Sequence, residues 1–198
     1  MKTMHNTIMA LSAAVLLGGC AHSINITPDS AKLASTQAQT KIDKVVGYYI
    51  SEPNKALEVT TPAGGGDSVK YKPYADLEAG LQQALVNVFA NAYPIKDIKD
   101  QAFLQGKDIA WVFTPTLTTN SSSRNNFFWP PTDFSVTIEC TAVDAAQKPV
   151  WQTTVKADND VVAVNAVIKD HGLAGKSAAE KALRQLQNQL QAAPEFRK

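Results

Sequence analysis

The stretch DFSVTIECTAVDA, residues 133–145, decides the fold. Phe134, Val136, Ile138, Cys140 and Ala142 alternate with Ser135, Thr137, Glu139 and Thr141. A period of two sends successive side chains to opposite faces of a pleated strand, so the five apolar positions share one buried face. Cys140 therefore points into a core. A lone cysteine can also be a nucleophile or redox thiol, but a thiol buried among apolar neighbours with no cation beside it stays protonated and inert.

The pattern extends in both directions. Downstream, the turn residues DAAQKP are followed by VWQTTVKAD, with Trp151 and Val155 on one face; upstream, DIAWVFTPTLTT puts Ile109, Trp111, Phe113 and Leu117 on one parity. Three strands in succession with short returns predict an antiparallel meander. Pro115 cannot donate to a ladder, which predicts an edge or a bulge there. Residues 44–51, KVVGYYIS, read as a buried strand, and the following EPNK turn and ALEVTTP strand predict a hairpin with it. A flexible AGGGDS connection follows.

Two helices stand out. In YADLEAGLQQALVNVFANAY the apolar residues Leu77, Leu81, Leu85, Val88, Phe89 and Ala92 recur at spacings of three and four, with Pro73 before them and Pro94 after. In SAAEKALRQLQNQLQAA, Ala179, Ala182, Leu183, Leu186, Leu190 and Ala193 form a second stripe. The period leaves NDVVAVNAVIKDHG open between strand and helix. Clustered strands and two amphipathic helices predict an α+β fold, an antiparallel β-sheet with both helices packed on one face.

The start of the chain has a different chemistry. Lys2 precedes an apolar run over residues 8–17, then come Gly18, Gly19 and Cys20, and then the polar AHSINITPDS. A cation, a run of about ten apolar residues and a small-residue cut site describe a secretory leader. A membrane span needs about twenty apolar residues. The alternative, a core helix ended by the paired glycines, would interleave polar positions, and this run does not.

Leu17-Gly18-Gly19-Cys20 resembles the lipobox of bacterial lipoproteins. The resemblance implies cleavage between Gly19 and Cys20, lipid on the Cys20 sulfur, and a membrane partner reached through that anchor. Ala21 stands where inner-membrane retention signals of that family carry aspartate, which implies an outer-membrane location facing the periplasm. The expected organisation is a leader at 1–19, a lipidated cysteine and polar tether at 20–41, and a single periplasmic α+β domain at 42–198. The order of tether, strand, helix, meander and final helix is also similar to small outer-membrane lipoproteins of the YajG kind. That resemblance implies a non-catalytic domain.

Composition narrows the function classes. The chain has 19 Lys and Arg against 18 Asp and Glu; losing Lys2 with the leader makes the formal charge zero. Nucleic acid calls for a basic surface that displaces counterions, so nucleic-acid binding is not expected. With Cys20 lipidated, Cys140 has no disulfide partner. Of three histidines, His5 lies in the leader, His22 beside the anchor and only His171 in the domain, too few for a zinc site or a histidine-based triad. No metal, no cofactor and no catalytic residue is expected, and the AGGGDS stretch lacks the lysine of a phosphate loop.

The loop SSSRNNFFWPP, residues 121–131, breaks the rule that loops are polar, because Phe127, Phe128 and Trp129 are consecutive. Two readings stand: an interaction loop of exposed rings, or rings folded over the sheet edge to close the core. The function expected is a binding or structural module in envelope assembly or transport, contacting an envelope protein. The alternative is a carrier of a small apolar or lipid ligand, which would need a cavity between helices and sheet.

Overall fold

The structure is a computed structural model that describes residues 20–34, 40–124 and 127–197. The expected leader at 1–19, Gly19 included, lies outside the described residues, as do residues 35–39 of the expected tether and 125–126 of the aromatic loop. In chain order the elements are β1 (Ala21–Ser23), α1 (Ser30–Ala34), β2 (Ile42–Tyr49), α2 (Glu52–Ala56), β3 (Val59–Pro62), β4 (Ser68–Tyr71), α3 (Pro73–Val88) and β5 (Phe89–Ile95). They continue with α4 (Gln101–Gly106), β6 (Ile109–Ser122), β7 (Asp133–Asp144), β8 (Pro149–Asp158), α5 (Val164–Lys169), α6 (Leu173–Ala192) and a closing 3-10 turn at Pro194–Arg197.

The fold is α+β. The main sheet has the order β5-β2-β6-β7-β8, and β6, β7 and β8 form the expected antiparallel meander. Phe134, Val136, Ile138, Cys140 and Ala142 are all buried. Helices α3 and α6 pack on each other and on one face of this sheet, α6 over β7 and β8 and α3 over β5, β2 and β6. Pro115 sits just past Phe113, the last residue of β6 that pairs with β2, so the missing donor falls where β6 keeps only β7 as a neighbour.

Three expectations are corrected. The hairpin between residues 44–51 and ALEVTTP does not form. The Ser51 side chain caps α2 by accepting from the Asn54 backbone N–H at 3.3 Å, with Pro53 in the first turn, and this helix leads the chain away from β2. The valine-rich β2 instead takes two parallel neighbours, β5 and β6, while β3 pairs antiparallel with β4 in a smaller sheet of order β1-β4-β3. The second correction concerns the first long helix, which ends at Val88. Phe89 and Ala92 belong to β5, an edge strand where Pro94 is tolerated. Tertiary packing overrides the helical spacing here, because the Phe89 ring lies 5.5 Å from that of Phe113 and 5.6 Å from that of Phe196.

The third correction concerns the expected tether. Residues 21–34 form a strap bound to the domain, so the folded unit begins at β1. Ile26 and Leu33 are fully buried. Ile26 donates its backbone N–H to Asp76 at 3.2 Å and Asn25 donates its side-chain amide to the same carboxylate at 3.0 Å. Burial pushes the Asp76 carboxyl above its ordinary range in spite of the bond from Ile26. Asn87 donates to the Leu33 carbonyl at 2.8 Å and to Gln187 at 3.0 Å, a buried link that joins α1, α3 and α6.

Burial also sets the chemistry of Cys140, whose thiol is pushed up to about 12. The unfolded thiol ionises near 8.5 and the folded one does not, so stability is full below that value and falls as pH rises towards 12. We expect Cys140 to resist thiol reagents at pH 8 in the native protein and to react on unfolding. Reaction of Cys140 without unfolding would contradict its placement.

Candidate functional site around Cys20

Cys20 is exposed at the head of β1. Its backbone N–H donates to Asp67 Oδ1 at 3.2 Å, and its carbonyl accepts from the Ser68 N–H at 3.1 Å. β1 then runs parallel to β4 through Ala21, His22 and Ser23. The expected flexible AGGGDS connection is a hairpin turn between β3 and β4, in which Asp67 N–H donates to the Gly64 carbonyl at 3.1 Å. Its aspartate is what holds the cysteine.

The same turn gathers aromatic rings. His22 Nε2 lies 3.0 Å from Asp67 Oδ2, and the imidazole stacks on Trp129 with centroids 4.0 Å apart and planes 11° from parallel. His171 meets Trp129 edge-on at 4.3 Å. The Gly64 N–H donates to the Trp129 carbonyl at 2.9 Å, which pins the loop backbone to the β3–β4 turn. Two histidines that looked unrelated in sequence thus contact one indole.

The aromatic loop divides. Phe127 is exposed, whereas Phe128 and Trp129 are half-buried. Phe127 lines an open depression of about 520 Å³ with Arg124, Asp133, Asn159, Val161 and Val164. One wall is held by a two-point contact, Arg124 Nη2 to Asp133 Oδ1 at 2.6 Å and Arg124 Nε to the same oxygen at 3.0 Å. Burial pushes the Asp133 carboxyl up, but the bonds from Arg124 and Thr132 outweigh it and leave it below its usual range.

The interior offers little room. The gap between helices and sheet, lined by Tyr74, Leu77, Leu81, Leu117, Ile138 and Leu183 among others, measures about 10 Å³. That is at most about one water molecule. Among the described residues no three His, Cys, Asp or Glu side chains come together as a metal site, and no helix is long and apolar enough to cross a membrane.

No protein-family model matches the chain, and no curated protein does. Solved structures similar to it include a minor lipoprotein from Acinetobacter baumannii, 13% identical, with 76% of this chain and 94% of that one covered at a TM-score of 0.44. Another is a neuraminyllactose-binding hemagglutinin homolog from Helicobacter pylori, 10% identical, with 81% of this chain and 91% of that one covered at a TM-score of 0.46.

Proposed function

We propose that this chain is a bacterial lipoprotein, cut between Gly19 and Cys20, acylated at Cys20 and held at the outer membrane on the periplasmic side. Its α+β domain acts there as a non-catalytic binding or structural module in envelope assembly or transport. One observation carries the reading: an apolar leader too short to span ends in Leu17-Gly18-Gly19-Cys20, and that cysteine is exposed at the first residue before β1. Each buried CH₂ contributes about 0.8 kcal/mol, so two or three acyl chains make a stable anchor where one does not.

The docked strap changes what the anchor does. Because β1 is hydrogen-bonded from Cys20 onward, the domain lies directly against the membrane without a spacer. The carrier reading draws no support from the gap lined by Tyr74, Leu77, Leu117 and Leu183, which at about 10 Å³ is below the size of an organic ligand. The binding reading draws on the divided aromatic loop, with Phe127 outward and Trp129 fixed by its neighbours.

Growth with radioactive fatty acid tests the anchor. The wild-type chain is expected to take up label and fractionate with outer membranes, and Cys20→Ser to lose the label and leave the membrane fraction. Label retained by the Cys20→Ser chain would overturn the proposal.

A further inference from the structure

Among the described residues, five large apolar side chains are exposed, and four of them fall in one region: Phe127 at 97%, Val161 at 93%, Ile168 at 55% and Val164 at 45%. Phe127, Val161 and Val164 line the same depression, and Ile168 is one helical turn beyond Val164 on α5. The fifth, Leu57, follows α2 and lines none of it.

This region adjoins the anchor. Trp129 is two residues from Phe127, His171 is three from Ile168, and His22 is two from Cys20. Both histidine rings touch the Trp129 indole, His22 at 4.0 Å and His171 at 4.3 Å between centroids. At about 3.8 Å per residue, the Phe127 and Cys20 backbones lie within about 8 Å of those of Trp129 and His22, and the Ile168 backbone within about 11 Å of that of His171. Cys20 itself has no slack, since both its backbone groups are bonded to the β3–β4 turn. A bilayer that receives acyl chains from Cys20 therefore lies beside this patch in a fixed orientation.

The charges around the patch decide what kind of surface it meets. Arg124 is matched by Asp133, Lys181 by Asp160 at 2.7 Å and Lys176 by Asp170 at 2.8 Å. Lys169 adds an exposed cation and Asp158 an exposed anion. A patch without excess charge gains from apolar insertion rather than from attraction to anionic headgroups.

Resting on the lipoprotein reading, we infer that this face is the bilayer-seating surface of the domain, with Phe127 and Val161 entering the boundary between headgroups and acyl chains. The half-buried Trp129 then lies near the headgroup level, which indole rings favour.

The test uses the full acylated chain, purified from membranes and reconstituted in vesicles of phosphatidylethanolamine and phosphatidylcholine. Single cysteines replace Phe127, Val161 or Ala146 and carry an environment-sensitive fluorophore, Cys140 being buried. Ala146 is the control, because it follows the far end of the 12-residue β7, roughly 36 Å from the Asp133 end that lines the depression. The labels at 127 and 161 are expected to lose most of their emission to lipids carrying a nitroxide quencher on the acyl chain, at low and high salt alike, while the label at 146 stays unquenched.

Acyl mass on Cys20 with all three labels equally in water would overturn the seating face and leave the anchor standing. Absence of acyl mass would overturn the anchor and the seating face with it. Labels at 127 and 161 that are shielded in whole envelopes but remain in water on these vesicles would assign the patch to a protein and overturn the inference.

Discussion

Phe196→Ala is expected to lower stability by about 3–5 kcal/mol, the range for removing a buried aromatic side chain. Phe196 is only 1% exposed although it lies two residues from the end of the chain. Its ring meets those of Phe89 at 5.6 Å, Trp111 at 5.0 Å, Phe113 at 5.5 Å and Trp151 at 5.4 Å. Four rings from β5, β6 and β8 thus depend on one side chain for closure, and a methyl in its place leaves a void the rigid sheet cannot fill. In a chain of this size each kcal/mol moves Tm by about 2–4 °C, so a fall on the order of 10 °C is expected. Phe196→Leu should recover much of it. A Phe196→Ala unfolding free energy from urea titration within about 1 kcal/mol of wild type would show that the C-terminal turn does not seal the core.

Gly172→Ala is expected to expel the amino-terminal strap. A Cβ at position 172 would lie 1.8 Å from the Asn25 carbonyl oxygen, a backbone atom that moves only if the strap moves. A Cβ at Gly175 would lie 2.3 Å from Ile26 Cγ2, so the next turn of α6 is equally closed to side chains. If the strap leaves, Ile26 and Leu33 return to water. At about 1.5–3 kcal/mol for each buried aliphatic side chain, the loss is roughly 3–6 kcal/mol. Gly106→Ala is the control, since a Cβ there meets nothing within 4 Å. Hydrogen exchange at Ile24 and Ile26 reads the outcome: fast exchange is expected in Gly172→Ala and slow exchange in wild type and Gly106→Ala. Unchanged protection in Gly172→Ala would mean that the strap is not seated on α6.

What was legible in the sequence followed from local periodicity. The period-two face of β7 and the helical stripe of α6 both describe surfaces that bury one side against a single partner, and both agree with the structure. Where a long-range partner decides, local pattern misleads. Phe89 and Ala92 fit the helical spacing of α3, but the Phe113 and Phe196 rings draw Phe89 into the sheet. The strap was missed because residues 21–34 are mostly small and polar, with Ile24, Ile26, Pro28 and Leu33 too sparse to show a period. Its signal lay elsewhere in the chain. Gly80 interrupts the helical pattern of α3, which marks close approach by another segment, and a Cβ there would lie 2.7 Å from Pro28 Cγ.

The site was legible in pieces. Cys20 is marked by the residues before it, and the aromatic run stands out in a polar loop. Their juxtaposition was not readable, because it depends on β1 pairing with β4 and on Trp129 lying between His22 and His171. Those contacts join segments far apart in the sequence, Ala21 to Ser68 and His22 to Trp129 among them, and follow no local period.

The most direct measurement is the mass of the amino-terminal peptide of the protein extracted from native membranes. The account predicts a chain that starts at Cys20 and carries fatty acyl groups on that residue. A peptide that retains residues 1–19 with an unmodified Cys20 would contradict it.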